Sequence, residues 1–341
     1  MTVDLAAAIE TLCEPQDLSQ DEAERLFAAV IAGEVSEIGL AALLALLKAK
    51  GETPEEVAGA ALALRRGARA FDTGELEVAD SCGTGGDGAH TLNLSTASAF
   101  VAAAGGVKVA KHGNRSVSSK CGSADVLEAL GVSIETPPEV ARRCLEIAGI
   151  CFLYAPQYHA GVRHAMPVRR GLGVRTIFNL LGPLANPARP AIQLMGVYDP
   201  RRCRTLAETL GRLGCRRALV VHGGGLDEIA LHAETEAAFL DDGRVTTLTL
   251  RPEDVGLPRV SLDALAGGEP EDNAQWLQAL LAGEGDAEHE AAVAINAGAL
   301  LWLADQAADH REGTARALAI LRAGQALRCL EQLVEVSGGA G

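Results

Sequence analysis

Over the first seventy residues the apolar positions recur at helical spacing, and the segment reads as helices only. Ser19 and Glu22 are spaced as a capping box ahead of Leu26, Phe27, Val30 and Ile31. Thr53-Pro54-Glu55-Glu56 offers an N-cap, a first-turn proline and a capping glutamate, while Gly33 and Gly51 are natural stops. After Phe71 the pattern changes to short β-type runs at 77–79, 107–110, 150–154, 193–198 and 218–221. Each is followed by Gly, Pro or Asp, and most by a helical pattern. That alternation predicts a largely parallel sheet flanked by helices. Residues 237–240 and 245–250, separated by Asp241-Asp242-Gly243-Arg244, predict a hairpin added at an edge, and the chain is expected to finish on helices at 289–304 and 314–336.

At 341 residues the chain accommodates one large domain or two unequal ones. Its longest apolar run, around 40–47, is well short of the ~20 residues a bilayer span needs, so no membrane contact is expected. The N-terminus carries Asp4 and Glu10 without a basic flank and reads as the start of an amphipathic helix rather than a signal peptide; the expected location is cytoplasmic. Eight cysteines lacking C-x-x-C or zinc-type spacing read as reduced thiols. A formal net charge of −15 and an aromatic content of 3% argue against nucleic acid as a partner, yet leave room for a small anion held by a few placed cations.

Three segments carry chemistry, the first of them continuing into a helix start, and each lies after the carboxyl end of an expected strand, where ligands bind in open α/β sheets. Asp80-Ser81-Cys82-Gly83-Thr84-Gly85-Gly86-Asp87-Gly88 is either a plain tight turn or a loop whose backbone N–H groups approach a phosphate; it matches neither the dinucleotide-binding nor the Walker A spacing. Asn93-Leu94-Ser95-Thr96 follows, as a helix N-cap or as ligands of a diphosphate or metal ion. Lys111-His112-Gly113-Asn114-Arg115-Ser116-Val117-Ser118-Ser119-Lys120 concentrates cations and hydroxyls in an acidic chain, which suits a polyanion, although a solvated turn has the same composition. His222-Gly223-Gly224-Gly225-Leu226-Asp227-Glu228 places adjacent carboxylates in a glycine loop, either as hard oxygen ligands of the kind Mg²⁺ takes or as an ordinary surface pair.

Taken together, C-G-T-G-G-D-G from Cys82, N-L-S-T from Asn93, K-H-G-N-R-S-V-S-S-K-C-G-S-A-D from Lys111, R-R-G-L-G-V-R-T-I-F-N-L-L-G-P-L-A-N-P from Arg169 and H-G-G-G-L-D-E from His222 resemble the anthranilate phosphoribosyltransferase family over nearly the whole chain. The resemblance implies a nucleoside-phosphorylase-like α/β fold: a small all-helical domain over 1–72 with a further helical segment at about 168–186, and an α/β domain over 73–341 with a mostly parallel central sheet. It implies a pentosyltransferase that moves the phosphoribosyl group of phosphoribosyl pyrophosphate (PRPP) to the amine of anthranilate in tryptophan biosynthesis, with Mg²⁺, as a homodimer.

By resemblance, Gly83, Asn114, Arg169 and His112 line the anthranilate site, with His159 at its border. Gly83, Gly86, Asp87, Thr91, Asn93, Leu94, Ser95, Thr96, Lys111, His112, Gly113, Asn114, Arg115, Ser116, Val117, Ser118, Ser119 and Ser123 surround PRPP. Ser95, Asp227 and Glu228 hold the metal, and Lys111 and Arg115 stabilise the departing pyrophosphate. No covalent nucleophile is implied. The stretch at 159–167 departs from the H-P-A-M type pattern of the family, which bears on the shape of the anthranilate entrance. Arg175-Thr176-Ile177-Phe178-Asn179 is expected to pack the helical domain against the sheet domain. A nucleoside phosphorylase reading is opposed by the K-H-G-N-R segment and the Asp-Glu pair, and a nucleic-acid-binding reading by the net charge.

Overall fold

The computed structural model describes residues 4–116 and 120–338. The chain opens with α1 (Leu5–Cys13), α2 (Gln20–Ala32), α3 (Glu37–Lys50) and α4 (Pro54–Arg66). Ser19 with Glu22, and Thr53 with Glu56, close full capping boxes, so each helix start satisfies backbone N–H groups that would otherwise lack acceptors. Gly33 at φ 76° and Gly51 at φ 91° end α2 and α3 in backbone that a side chain would strain.

Next come β1 (Ala79–Ser81), α5 (Leu94–Ala104), β2 (Val109–Gly113), α6 (Ser123–Ala129), α7 (Pro138–Ile147) and β3 (Ile150–Tyr154). Three short helices, α8 (Ala155–Tyr158), α9 (Met166–Leu172) and α10 (Phe178–Leu184), follow; α9 packs on α3 and α10 on α4, so this excursion rejoins the N-terminal bundle. The chain re-enters the sheet with β4 (Ile192–Gly196), α11 (Cys203–Arg212) and β5 (Arg217–Gly223). It then forms β6 (Thr235–Asp241) and β7 (Arg244–Leu250) and ends on α12 (Pro270–Leu281), α13 (Ala287–Leu303), α14 (His310–Arg322) and α15 (Gln325–Gly338).

Among the described residues the sheet runs β3-β2-β1-β4-β5-β6-β7, parallel from β3 to β5 and antiparallel thereafter. The β6–β7 connection is the expected edge hairpin, tightened to a two-residue turn by Asp242 at φ 43° and Gly243 at φ 82°. The expected strand at 77–79 lies two residues later, because ladder partners on both sides begin at Ala79. The single helix expected at 314–336 is broken between α14 and α15: Gly324 has φ 63°, and a Cβ there would lie 2.8 Å from the Ala282 carbonyl oxygen.

Side-chain alternation along the strands sorts residues into two cores. Leu194, Leu219 and Val221 face a core shared with α5, α13 and α15, whereas Met195, Val197, Ala218 and Val220 face the other, which is continuous with the helical bundle through Leu180, Leu181 and Leu64. The bundle is thus welded to one face of the sheet. Strand order reverses at β1 and β4: from β1 the chain steps outward to β2 and β3, then returns to the opposite side of β1. Such a switch point opens a crevice at the strands' carboxyl ends.

Candidate active site

All three segments singled out by their chemistry end at that crevice. Lys111, 2% exposed on β2, sends its Nζ to the Ser81 carbonyl oxygen at 2.5 Å and to Ser95 Oγ at 3.3 Å. Asp227 Oδ2 accepts the Gly85 N–H at 2.7 Å, and the Asp227 N–H lies 3.4 Å from Asp87 Oδ2. The Glu228 carboxyl accepts from the Ser95 backbone and feels the Lys111 charge. The chain therefore brings Asp87, Ser95, Lys111, Asp227 and Glu228 together from four separate elements.

This cluster is electrostatically overfilled with acid. Burial pushes the Asp227 carboxyl well above the usual range, with the Asp87 charge adding to the effect; burial followed by the Asp227 charge does the same to Glu228, against the opposing pull of Lys111. A divalent cation relieves that repulsion, and the donors are hard oxygens. Among the described residues no three or more His, Cys, Asp or Glu side chains converge closely enough to coordinate an ion by themselves. The set therefore fits Mg²⁺, which takes one or two carboxylates and completes its shell with phosphate oxygens and water.

The crowding also explains specific glycines. A Cβ on Gly83 would lie 2.2 Å from Asp227 Oδ2, and one on Gly196 would lie 1.5 Å from the Asp227 carbonyl oxygen, so only glycine lets this carboxylate sit between β1 and β4. In the glycine loop itself the Thr84 N–H bonds the Gly196 carbonyl at 2.9 Å and the Gly85 N–H bonds Asp227. Among the described residues the next N–H groups, those of Gly86, Asp87 and Gly88, donate to no protein acceptor. A run of unspent donors beside Lys111 and a carboxylate pair fit for Mg²⁺ suits a phosphate group.

A second, less charged region adjoins the first. His112, 3% exposed, donates from Nδ1 to the Gly182 carbonyl oxygen at 3.1 Å and meets the His159 ring edge-on at 5.2 Å between centroids. Burial, and then the neighbouring His159, depress the His112 pKa to about 3; burial lowers that of His159 to about 4. The Nε2 atoms of both rings are buried without a hydrogen-bond partner. Arg169 lies with its guanidinium carbon 5.2 Å from the Phe178 ring centre and makes no ion pair among the described residues; burial lowers its pKa. The histidine pair is thus neutral and buried, and Arg169 on α9 is a partly desolvated cation held over Phe178.

The remaining expected residues are placed as follows. Arg115 is drawn into a bidentate pair with Glu128 at 2.5 and 2.8 Å, bonds Asp125 at 3.2 Å and lies over Tyr154, so in this state its guanidinium engages α6. The Asn114 carbonyl accepts from Ala124 N–H and Ser123 Oγ, and Ser116 N–H donates to Asp125, which folds the basic loop over the start of α6. Gly113 is required there, since its Cβ would fall 2.3 Å from Ser123 Oγ. Val117, Ser118 and Ser119 lie outside the described residues. Asn93 precedes α5 with no capping bond and instead accepts from Asn273 at 3.0 Å. Leu94 turns into the core, Thr96 is buried with an unpartnered hydroxyl, and Thr91 bridges to Ala266.

Several supporting residues escaped the sequence reading. Asp80, fully buried with its pKa raised to about 6 by burial, accepts from the His112 N–H at 3.2 Å and from Asn186 Nδ2 at 2.9 Å. Three successive carbonyls at the end of α10 are taken by side chains from different elements: Gly182 by His112, Pro183 by Gln193 at 2.8 Å, and Leu184 by Arg65 at 2.7 Å. These are the acceptors a helix end leaves without partners. Asn296 on α13 grips both the N–H and the carbonyl of Ile229, at 2.9 and 3.1 Å, directly after the acidic pair. His222 bonds the Val197 carbonyl through Nδ1 at 2.8 Å and accepts the Gly225 N–H on Nε2 at 3.2 Å, shaping the same loop. Glycine spacing signals none of these, because each partner is remote in sequence.

Residues 6–68 match the family model described as Glycosyl transferase family, helical bundle domain, and residues 75–327 that described as Glycosyl transferase family, a/b domain. The chain is 59% identical to anthranilate phosphoribosyltransferase of Sorangium cellulosum over 97% of this chain and 95% of that one, and 53% identical to that of Aeromonas salmonicida over 96% and 98%. Its fold is similar to the crystal structure of anthranilate phosphoribosyltransferase from Thermus thermophilus (TM-score 0.92, 45% identity, 97% of this chain and 99% of that one). It also matches the Saccharomyces cerevisiae enzyme in complex with PRPP and Mg (TM-score 0.88, 26% identity, 99% of both chains). A similar match is found with the yeast enzyme in complex with 4-fluoroanthranilate (TM-score 0.88, 25% identity, 98% of both chains). The chain belongs to the anthranilate phosphoribosyltransferase family.

Proposed function

We propose that this chain transfers the 5-phosphoribosyl group from PRPP to the amine of anthranilate, giving N-(5-phosphoribosyl)anthranilate and pyrophosphate in tryptophan biosynthesis. The observation that carries the reading is the meeting at one crevice of an acid-rich, lysine-bearing pocket with free loop amides and, next to Lys111, the buried neutral His112; Arg169, partly desolvated and without an ion pair among the described residues, is the cation assigned to the carboxylate. The first half suits a metal-bound diphosphate and the second an aromatic carboxylate.

In this reading Gly83, Gly86, Asp87, Thr91, Asn93 to Thr96 and Lys111 to Ser119, with Ser123, surround PRPP. Ser95, Asp227 and Glu228 hold Mg²⁺, and Gly83, His112, Asn114 and Arg169 receive anthranilate. Mg²⁺, when bound, supplies positive charge that makes pyrophosphate a better leaving group. Lys111 and the loop amides hold the departing pyrophosphate as the bond from C1 to oxygen breaks, and Arg115 joins them when released from Glu128. Arg169 grips the carboxylate and orients the amine at C1, where the new carbon–nitrogen bond forms as the amine gives up a proton. His112, kept neutral by burial, borders the approach of anthranilate, and the proton lost by the amine passes to the departing pyrophosphate or to water. Packing of the helical bundle over the crevice excludes water that would otherwise capture the developing ribosyl cation.

The domain division proposed is helical bundle over 1–72 plus about 168–186, and α/β domain over 73–341. We further propose a homodimer; Ile38, 86% exposed on α3, is a large apolar side chain in the bundle available for a second copy. We propose a cytoplasmic location, in keeping with the lack, among the described residues, of any helix long and apolar enough to cross a membrane. The test of function is loss of anthranilate fluorescence on adding PRPP and Mg²⁺, with thymidine plus phosphate as control. No fluorescence loss, or turnover of thymidine instead, would refute the reading.

A further inference from the structure

Arg175 sits between α9 and α10, on the helical side of the crevice, yet its guanidinium reaches the glycine loop of the α/β side: Nη2 donates to the Gly86 carbonyl oxygen. Its planar group is braced against the Tyr198 ring, with the guanidinium carbon 4.1 Å from the ring centre. Tyr198 is itself tied to the loop, its N–H donating to Thr84 Oγ1 at 3.2 Å. A Cβ built on Gly86 would lie 3.6 Å from Arg175 Nη2, so the guanidinium runs alongside this residue.

The loop is therefore held from two sides. Asp227 fixes the Gly85 N–H from the β5 side. Arg175 fixes the Gly86 carbonyl from the helical side. Across a trans peptide the carbonyl and the following N–H point in opposite directions, and the chain has no cis peptides among its described residues. Pinning the Gly86 oxygen on Arg175 consequently turns the Asp87 N–H the other way. That N–H is one of the donors left unspent in the loop. Gly85 at φ 65°, Gly86 at φ 75° and Gly88 at φ 78° leave this peptide free to rotate in the absence of an external hold, since glycine populates many conformations.

We propose that Arg175 is a positioning residue for the pyrophosphate-bearing substrate: braced on Tyr198, it grips the Gly86 carbonyl from the helical domain and so aims the Asp87 N–H at the diphosphate. The inference rests on the reading that PRPP occupies this loop. Arg175 touches the loop rather than the anthranilate region, so its effect falls on one substrate only. A lysine cannot reproduce the arrangement, because an ammonium lacks the planar face that stacks on Tyr198 while a donor points sideways.

The test compares Arg175→Ala, Arg175→Lys and Tyr198→Ala with wild type by steady-state kinetics, and by calorimetric titration of inorganic pyrophosphate in the presence of Mg²⁺. Arg175→Ala is expected to raise the KM for PRPP roughly ten- to a hundredfold, the usual effect of losing a hydrogen bond to a charged group, with KM for anthranilate changed less than about twofold. Pyrophosphate affinity falls by a similar factor. Arg175→Lys lies between Ala and wild type, and Tyr198→Ala shows the same pattern at about two- to fivefold, the scale of a lost cation–π brace. Equal rises in both KM values with a lowered Tm would make Arg175 a mere staple between domains, and unchanged pyrophosphate affinity in Arg175→Ala would equally overturn the proposal while leaving the function intact. A wild-type protein that neither binds pyrophosphate nor consumes anthranilate would overturn the site reading and this inference together.

Discussion

His112 Nδ1 lies 3.1 Å from the carbonyl oxygen of Gly182. A carbonyl only accepts, so this contact fixes the proton on Nδ1 and leaves Nε2 as a bare lone pair. Burial favours the neutral ring, with a pKa near 3. The buried imidazole thus keeps Nε2 as an acceptor throughout the neutral pH range, and it owes that state to the end of α10.

The first prediction concerns that ring. Nitrogen-15 imidazole spectra should show His112 as the Nδ1–H tautomer with no titration between pH 5 and 8. An ordinary titration near 6.5 would contradict both its burial and its role as acceptor. The sign for stability follows: the folded pKa lies below the unfolded one, so the unfolded chain binds the extra proton. The contribution is complete above pH 6.5 and is lost as pH falls toward 3, at about 1.4 kcal/mol per unit.

Asp227 and Glu228 act in the opposite sense. Burial raises both folded pKa values above those of the unfolded chain, helped by the Asp87 charge at Asp227 and by the Asp227 charge at Glu228, so the folded protein binds protons more readily here. Stability from this pair is full below the ordinary carboxylate range near pH 4 and is lost as pH rises through neutrality. Without metal, Tm should therefore be lower at pH 8 than at pH 6. Saturating Mg²⁺ should raise it more at pH 8 than at pH 6, because more of the carboxylate pair is ionised and available as ligands. The double variant Asp227→Ala, Glu228→Ala should flatten the metal response and raise the Mg²⁺ concentration needed for activity. An unchanged Mg²⁺ dependence in that variant would exclude these residues as ligands.

How much of this was legible in the sequence divides along physical lines. Local devices were readable: the capping boxes at Ser19 and Thr53, the Asp-Gly turn of the edge hairpin, and the glycine loops that end at the crevice all depend on neighbours within a few residues. The residues that aim those loops were not. Asn186 reaches Asp80 across 106 positions and Asn296 reaches Ile229 across 67, and neither belongs to a recognisable spacing. Arg175 stood within a conspicuous segment, but its neighbours Ile177 and Phe178 suggested only a structural purpose, and the bond to Gly86 appears only when the chain between α9 and α10 is folded against the glycine loop, 89 positions away.

Asn296 provides the third prediction. Its amide satisfies both backbone groups of Ile229, and all of these atoms are buried. Asn296→Ala should strand one donor and one acceptor, at about 1–3 kcal/mol for each group. Urea denaturation should register that loss. Because Ile229 follows Glu228 directly, the Mg²⁺ requirement should rise as well. Loss of stability without any change in Mg²⁺ dependence would show that the clamp serves the core alone.

The last prediction separates two adjacent arginines. Arg169 is partly buried over Phe178, its pKa lowered by desolvation, and it makes no ion pair among the described residues; Arg170 is exposed. A guanidinium held in that way gains most from an incoming carboxylate, which it can grip with two parallel hydrogen bonds. Arg169→Ala should therefore raise the KM for anthranilate far more than that for PRPP. Loss of a charged hydrogen-bonding partner costs about 1.5–3 kcal/mol, or roughly a ten- to hundredfold change in apparent affinity. Arg170→Ala, the internal control, should change little, since its side chain is already solvated. The pattern is opposite to that expected for Arg175, so the two variants assign the two substrates to opposite ends of one crevice. Equal effects of Arg169→Ala and Arg170→Ala on anthranilate, or an Arg169→Ala defect confined to PRPP, would remove Arg169 from the anthranilate site.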